Sequence, residues 1–152
     1  MTVLKGNLIE FALSGRFDVI VHGCNCFCTM GAGIAKSIRD NFPEAYQADL
    51  KTPLGDRKKL GTYSLADINR NDKVFTIING YTQYEFSGHG PLVDYVAVKN
   101  LFARIKKNFG HKRIGYPKIG AGLAKGDWEV ISGIINTELQ GEDHTLIKYI
   151  KI

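Results

Sequence analysis

No apolar run in the sequence approaches the roughly 20 residues that cross a bilayer as a helix, which excludes a membrane-spanning segment of that kind. Met1 to Asn7 carries no basic-then-apolar leader, so a soluble, cytoplasmic protein is expected, with no membrane partner. Cysteine is scarce: the 3 present are Cys24, Cys26 and Cys28. An odd number in so tight a cluster makes a poor disulfide framework, and in a reducing compartment they stay thiols. His22 next to them invites a metal reading, but structural zinc takes two separated ligand pairs and no second pair exists. Neither a metal nor a cofactor is expected. Cys24 is a candidate thiol nucleophile, although nothing in the sequence shows it activated. Linkers and low-complexity stretches are also missing, so residues 1–152 read as one domain, expected to be monomeric.

Acidic residues are outnumbered, 15 against 20 Lys and Arg, for a formal charge of +5. Such a field favours anionic ligands. Two clusters supply much of it, Arg57-Lys58-Lys59 and Lys106-Lys107. The second falls at a predicted helix end, where the helix dipole alone accounts for it. Aromatic residues are not interleaved with either cluster, so nucleic acid is not the expected partner.

Hydrophobic patterning predicts an alternating α/β chain. Val3–Lys5 and Asp18–His22 read as strands, the latter buried on both faces through Val19-Ile20-Val21. Gly33–Phe42 reads as a helix stopped by Pro43, Glu44–Lys51 as a further helical turn or two, and Thr52–Asp56 as a loop. Gly61–Leu65 and Val74–Asn79 are predicted strands. Leu92–Phe109 is the clearest helix, with Tyr95, Val98, Phe102, Ile105 and Phe109 on one face and Gly110 after it. Arg113–Tyr116 is a strand, Asp127–Leu139 a helix with Trp128, Ile131, Ile135 and Leu139 inward, and Thr145–Ile150 a last strand. This alternation implies a largely parallel sheet covered by helices on both faces.

The most informative feature is a near repeat. Residues 31–36 read Gly-Ala-Gly-Ile-Ala-Lys and residues 120–125 read Gly-Ala-Gly-Leu-Ala-Lys, each between a predicted strand and helix. In a parallel sheet both loops lie at the carboxyl edge, where ligands of such sheets bind. Consecutive small residues expose backbone N–H groups, and the next helix adds a positive terminus, so each loop can cradle an anion. Two cradles on one edge suit a ligand with two phosphates. Either loop alone is equally a tight strand-to-helix connection. Neither matches the Walker A or the Gly-x-Gly-x-x-Gly spacing. His22-Gly23-Cys24-Asn25 follows the buried strand on the same edge, and Asn25 carries the donor and acceptor that recognise a sugar diol, or acts as a turn residue.

Four stretches together resemble the macro-domain family. They are Lys5-Gly6-Asn7-Leu8, Asp18 to Asn25, Met30-Gly31-Ala32-Gly33-Ile34-Ala35, and Pro117-Lys118-Ile119-Gly120-Ala121-Gly122-Leu123. The resemblance spans residues 5 to about 150 and is nearest in type to the phage, bacterial and fungal ADP-ribose 1″-phosphate phosphatases, with Tyr81-Thr82-Gln83-Tyr84 also similar. It implies a three-layer α/β/α fold with a mixed, mostly parallel sheet of about six strands. It implies a ligand site of Asn7, Leu8, Gly23, Cys24, Asn25, Met30, Gly31, Ala32, Gly33, Ile34, Thr82, Pro117, Ile119, Gly120, Ala121, Gly122, Leu123 and Ala124 for ADP-ribose or a phosphorylated or acylated derivative. Asn25 falls on the asparagine that contacts the distal ribose. Asn7 stands where many members have an aspartate accepting from the adenine amino group, and its carbonyl oxygen can still accept there.

The departures carry weight. His22 replaces the first asparagine of the common Val-Asn-Ala-Ala-Asn pattern. The lysine nucleophile of the terminal glycohydrolase branch falls on Gln83 and its partner aspartate on Ala124, which argues against that activity. The expected reaction is metal-independent hydrolysis of ADP-ribose 1″-phosphate, with Asn25, His22 and Asp127 as candidate catalytic residues. His22 is the acid–base candidate or a hydrogen-bonded strand-end histidine. Asp127 is a second candidate or the N-cap ahead of Trp128. His89, on a glycine-flanked loop, closes over the site or is simply exposed. Hydrolysis of ADP-ribosyl esters or O-acetyl-ADP-ribose, and ADP-ribose reading without turnover, are the alternatives.

Overall fold

The computed structural model describes residues 1–150; the expected domain's last two positions lie outside the described residues. The chain order is β1 (Thr2–Gly6), α1 (Leu8–Leu13), β2 (Val19–Cys24), α2 (Gly33–Asn41), α3 (Pro43–Leu50), β3 (Tyr63–Arg70), β4 (Lys73–Tyr81), α4 (Tyr95–Phe109), β5 (Ile114–Tyr116), α5 (Trp128–Glu138) and β6 (His144–Tyr149), with a 3₁₀ turn at Arg57–Lys59 before β3.

The six strands form one sheet in the order β1-β6-β5-β2-β4-β3. All neighbours pair parallel except β3 and β4, so the sheet is mixed and mostly parallel, as the resemblance implied. The exception follows from the connection: only Asn71 and Asp72 separate the two strands, both at positive φ (51° and 66°), the backbone of a tight hairpin turn. β3 runs on to Arg70, past the predicted Leu65, because pairing with β4 holds its alternating exposed and buried residues in register.

β2 is buried along nearly its whole length because both faces are covered. Ile20 and Cys24 pack with Leu8, Ala12, Ile38, Phe42 and Ala45 of α1–α3 on one side. Val19 and Val21 pack with Val98, Leu101, Phe102, Ile105, Ile131 and Ile135 of α4 and α5 on the other. The result is three layers, α/β/α. α1 was not predicted, being too short for a helical period to show. Asn7 caps it, its Oδ1 accepting from the backbone N–H of Ile9 (2.8 Å) and Glu10 (3.3 Å). α4 begins at Tyr95, later than the predicted Leu92, because Asp94 caps it by accepting from Ala97 N–H at 2.9 Å.

Because β1, β2, β4, β5 and β6 run parallel, their carboxyl ends share one edge of the sheet. The connections leaving Gly6, Cys24, Tyr81 and Tyr116 therefore emerge side by side.

Candidate functional site

The loops after β2 and β5 face one another across a cleft of about 600 Å³. One wall carries Gly23, Cys24, Asn25, Met30, Gly31, Ala32, Gly33 and Ile34; the other carries Pro117 and residues 119–124. The sequence repeat at 31–36 and 120–125 is thus a structural pair. A second cavity of about 440 Å³ adjoins the first and shares Gly33, Ile34 and Pro117 with it; Asn7 and Leu8 lie in its wall with Ile9, Ile147 and Tyr149.

The first loop is held by a dense set of local bonds. Asn25 Oδ1 accepts from Phe27 N–H at 2.8 Å, and Asn25 Nδ2 donates to Thr29 Oγ1 at 2.7 Å. The Cys26 carbonyl accepts from Gly55 N–H (2.7 Å) and from the buried Lys59 ammonium (3.0 Å), while Tyr46 donates to the Cys28 carbonyl at 3.3 Å. Cys28 (φ 55°) and Met30 (φ 40°) hold left-handed backbone that costs side-chain-bearing residues energy, a recurrent property of ligand loops. Their burial, 8% and 2% exposed, anchors the strain. The loop then enters α2 through Ala32, whose methyl cannot cap the helix, so first-turn N–H groups remain available at the cleft wall.

The second loop is folded on itself by Gly126 N–H to the Gly120 carbonyl (2.7 Å) and tied to the α4 approach by Leu92 N–H to the Ala124 carbonyl (2.8 Å). Gly120 has φ 73°, and a Cβ there would stand 2.6 Å from Val93 Cγ2. At the mouth, the exposed Leu123 reaches across until its Cδ1 is 3.3 Å from where a Gly33 Cβ would be. The two loops nearly meet, roofing the cleft.

Three expected site residues lie elsewhere. His22 points away from the cleft and is fully buried. Its Nε2 is 2.7 Å from Asn79 Oδ1. Asn79 Nδ2 donates to the Ala45 carbonyl (2.9 Å) and Ser64 Oγ (3.0 Å), so Oδ1 is the acceptor and His22 carries its proton on Nε2. Burial lowers the imidazole to about 4, against the opposing effect of the Asn79 bond. His22 is a neutral structural histidine at the strand end. Asp127 is exposed and caps α5, accepting from Glu129 N–H at 2.9 Å, with no place in the cleft wall. Thr82 is buried beneath the floor: its Oγ1 would be 2.7 Å from a Cβ on Gly23, so it forces glycine there without facing the ligand space. His89 is exposed and lines neither cavity.

The cysteines point in separate directions. Cys24 lies 3.7 Å from His22 Nδ1, Cys26 donates to the Gln83 carbonyl and Cys28 to the Asp49 carbonyl. Burial first, then the nearby Asp49 carboxylate, pushes the Cys24 thiol well above its ordinary value, so it is no activated nucleophile. Among the described residues no group of three His, Cys, Asp or Glu could hold a metal ion. The first basic cluster is also structural in part: Lys59 is buried over Tyr81, and Arg57 stacks 3.8 Å over the Tyr84 ring.

Sequence reasoning missed Thr29, Gln83, Phe86, Lys118 and above all Asp49 in the cleft wall. Asp49 is 1% exposed at the end of α3. Its Oδ1 accepts from Tyr81 OH at 2.7 Å, and its Oδ2 has no partner among the described residues. Burial raises its pKa above the usual carboxylate value. The signal was an acid four residues after Ala45, on the face that α3 buries.

The chain is thus a three-layer α/β/α sandwich with two glycine loops opposed at the carboxyl edge of a mixed six-stranded sheet. No protein-family model matches the chain. An uncharacterised 17.5 kDa protein from the tk–vs intergenic region of Enterobacteria phage T4 is 38% identical over 141 residues, covering 88% of this chain and 86% of its own. The ADP-ribose 1″-phosphate phosphatase of Debaryomyces hansenii is 28% identical over 163 aligned positions, 88% of this chain and 90% of that protein. Among solved structures, the macrodomain of Mycobacterium tuberculosis DarG superposes with a TM-score of 0.73 at 19% identity, covering 99% of both chains. Thermosipho africanus DarTG in complex with ADP-ribose superposes with a TM-score of 0.72 at 15% identity, over 93% of this chain and 40% of that one. The chain has the macrodomain fold and belongs to one family with the phage T4 protein.

Proposed function

We propose that the joined cavities bind ADP-ribose or a close derivative, and that the chain hydrolyses ADP-ribose 1″-phosphate to ADP-ribose and phosphate. The observation that carries this reading is the opposition of two loops of small residues across one cleft that continues into an apolar chamber. The loops suit a diphosphate, and the chamber suits a base. The name of the Debaryomyces relative and the ADP-ribose in the Thermosipho neighbour support the same ligand class.

In this reading a water oxygen bonds to the 1″-phosphorus, and the bond from phosphorus to the sugar oxygen breaks, leaving ADP-ribose and inorganic phosphate. Binding energy comes from the nucleotide end, remote from the reacting bond. The α2 N-terminus and first-loop N–H groups stabilise charge on the distal phosphate. Asn25 keeps one amide N–H and one carbonyl lone pair beyond its loop bonds, enough to orient a ribose hydroxyl. With His22 sealed under β2 and Asp127 capping α5, Asp49 is the acidic side chain at the cleft wall and takes over as acid–base candidate.

A second reading is an ADP-ribose reader without turnover. It is favoured by one observation: neither acid–base candidate named from the sequence faces the cleft. Phosphate release from ADP-ribose 1″-phosphate, measured beside ADP-ribose binding on one sample, separates the two. Release with binding supports the phosphatase. Binding without release leaves the reader or an ester hydrolase, the latter detected by turnover of O-acetyl-ADP-ribose.

A further inference from the structure

His22, Asn79 and Ser64 stand abreast on neighbouring strands: His22 of β2 is in register with Asn79 of β4, and Asn79 with Ser64 of β3. Tyr81 follows Asn79 by two residues and so shares a face of β4 with it. That face lies under α3, where Asn79 Nδ2 reaches the Ala45 carbonyl and Tyr81 OH reaches Asp49 Oδ1. A row of polar side chains thus crosses the sheet and ends at a residue of the cleft wall. His22, Asn79, Tyr81 and Asp49 are all buried.

The protons along the row run one way. His22 Nε2 donates to Asn79 Oδ1 at 2.7 Å, and Asn79 Nδ2 donates to Ser64 Oγ at 3.0 Å. The Asp49 carboxylate can only accept, so Tyr81 gives its proton to Oδ1 at 2.7 Å. The Tyr81 oxygen is then left to accept, and Ser64 donates to it at 2.8 Å. Bonds aligned in this way polarise one another and strengthen the last of the row. Oδ2 of Asp49 has no partner among the described residues.

We propose that Tyr81 is a positioning residue for the cleft carboxylate: backed by Ser64, it fixes Oδ1 of Asp49 and leaves Oδ2 as the oxygen for a ligand or water. The proposal rests on the reading of Asp49 as the acid–base group of the cleft. His22 stands at the far end of the row and bears on the site without reaching it. The other ionisable groups around Asp49 are Lys59 of the 3₁₀ turn and the thiols of Cys24, Cys26 and Cys28 on β2 and the loop after it. The Tyr81 bond and the Lys59 charge favour the carboxylate, and burial opposes both.

The carboxyl carbon resonance of Asp49, assigned by its loss in Asp49→Asn, is titrated by NMR in wild type, Tyr81→Phe, Ser64→Ala and Tyr46→Phe. Tyr81→Phe removes a bond to a charged acceptor, so the Asp49 midpoint is expected to rise by about one pH unit. Ser64→Ala is expected to raise it by less, because Tyr81 keeps its bond to Oδ1. Tyr46→Phe removes a bond to the Cys28 carbonyl and none to Asp49, and is expected to leave the midpoint in place. In the phosphate-release assay, the limb of the kcat pH profile that Asp49 governs moves with the Tyr81→Phe midpoint while ADP-ribose affinity holds. A midpoint unmoved or lowered in Tyr81→Phe, or raised as far in Tyr46→Phe, overturns the assignment. If Tyr81→Phe does not fold, Ser64→Ala against Tyr46→Phe decides in the same way. A midpoint that moves as expected in a protein that releases no phosphate upholds the positioning of Asp49 and overturns only the phosphatase reading.

Discussion

Replacing Gly120 by alanine should cost far more than replacing Gly122, although both belong to the same Gly-Ala-Gly. Gly120 has φ 73°, where a Cβ costs about 1–2 kcal/mol. That Cβ would also stand 2.6 Å from Val93 Cγ2 and 3.1 Å from Ile131 Cδ1, atoms of the core under α4 and α5. Overpacking of this kind costs about 1–3 kcal/mol. Together these give roughly 2–5 kcal/mol, or a melting temperature lowered by roughly 5–15 °C in a domain of this size. A Cβ on Gly122 meets nothing within 4 Å, so Gly122→Ala should stay within about 0.5 kcal/mol of wild type. The assay is thermal unfolding of both variants with Val93→Ala and the Gly120→Ala/Val93→Ala pair. Val93→Ala removes the colliding methyls, so the pair should recover the steric share of the loss and keep the backbone share. Equal melting temperatures for Gly120→Ala and Gly122→Ala would refute this account of the loop.

Other expectations follow from the same geometry. His22 is held near pKa 4 in the fold against 6.5 unfolded, so the unfolded chain binds the extra proton first. Stability is then full above pH 6.5 and falls by up to roughly 3 kcal/mol as pH drops toward 4; urea titrations at pH 7 and 4.5 should show this, and His22→Gln should flatten it. Asp49 has the opposite sign: its raised pKa makes the folded chain the better proton binder, so its contribution is full below pH 3.8 and is lost as pH rises through the folded value. Asp49→Asn should remove that loss in the same titrations, and should abolish phosphate release while sparing ADP-ribose affinity. Asn25→Ala should lose phosphate release with the fold retained, destabilised by about 1 kcal/mol for the loop bonds removed; circular dichroism with a release assay checks both. A chelator should leave phosphate release unchanged.

The layered fold was legible because it is written in periodicity. Val19-Ile20-Val21 is a continuous apolar run, and Tyr95 to Phe109 keeps a helical period over four turns; both features depend on burial alone. The repeated Gly-Ala-Gly was legible for a related reason, since small residues between a strand and a helix have few uses. Conformation and direction were not. Nothing local to His22 says that Asn79, far along the chain, will hold its ring beneath the sheet. Asn7 lies in the wall of the second cavity, and its Oδ1 caps α1, a helix too short to announce itself in the sequence. Asp49 was overlooked because it looks like any surface helix acid until α3 is docked and its Oδ1 meets Tyr81.

The central claim is that two backbone cradles together hold a diphosphate. Calorimetric comparison of ADP-ribose with AMP, which has one phosphate and no distal ribose, tests it most directly. Binding of ADP-ribose at least about tenfold tighter than AMP, with the advantage lost in Asn25→Ala, is the predicted result. Equal affinity for the two, or no binding of ADP-ribose, would contradict it.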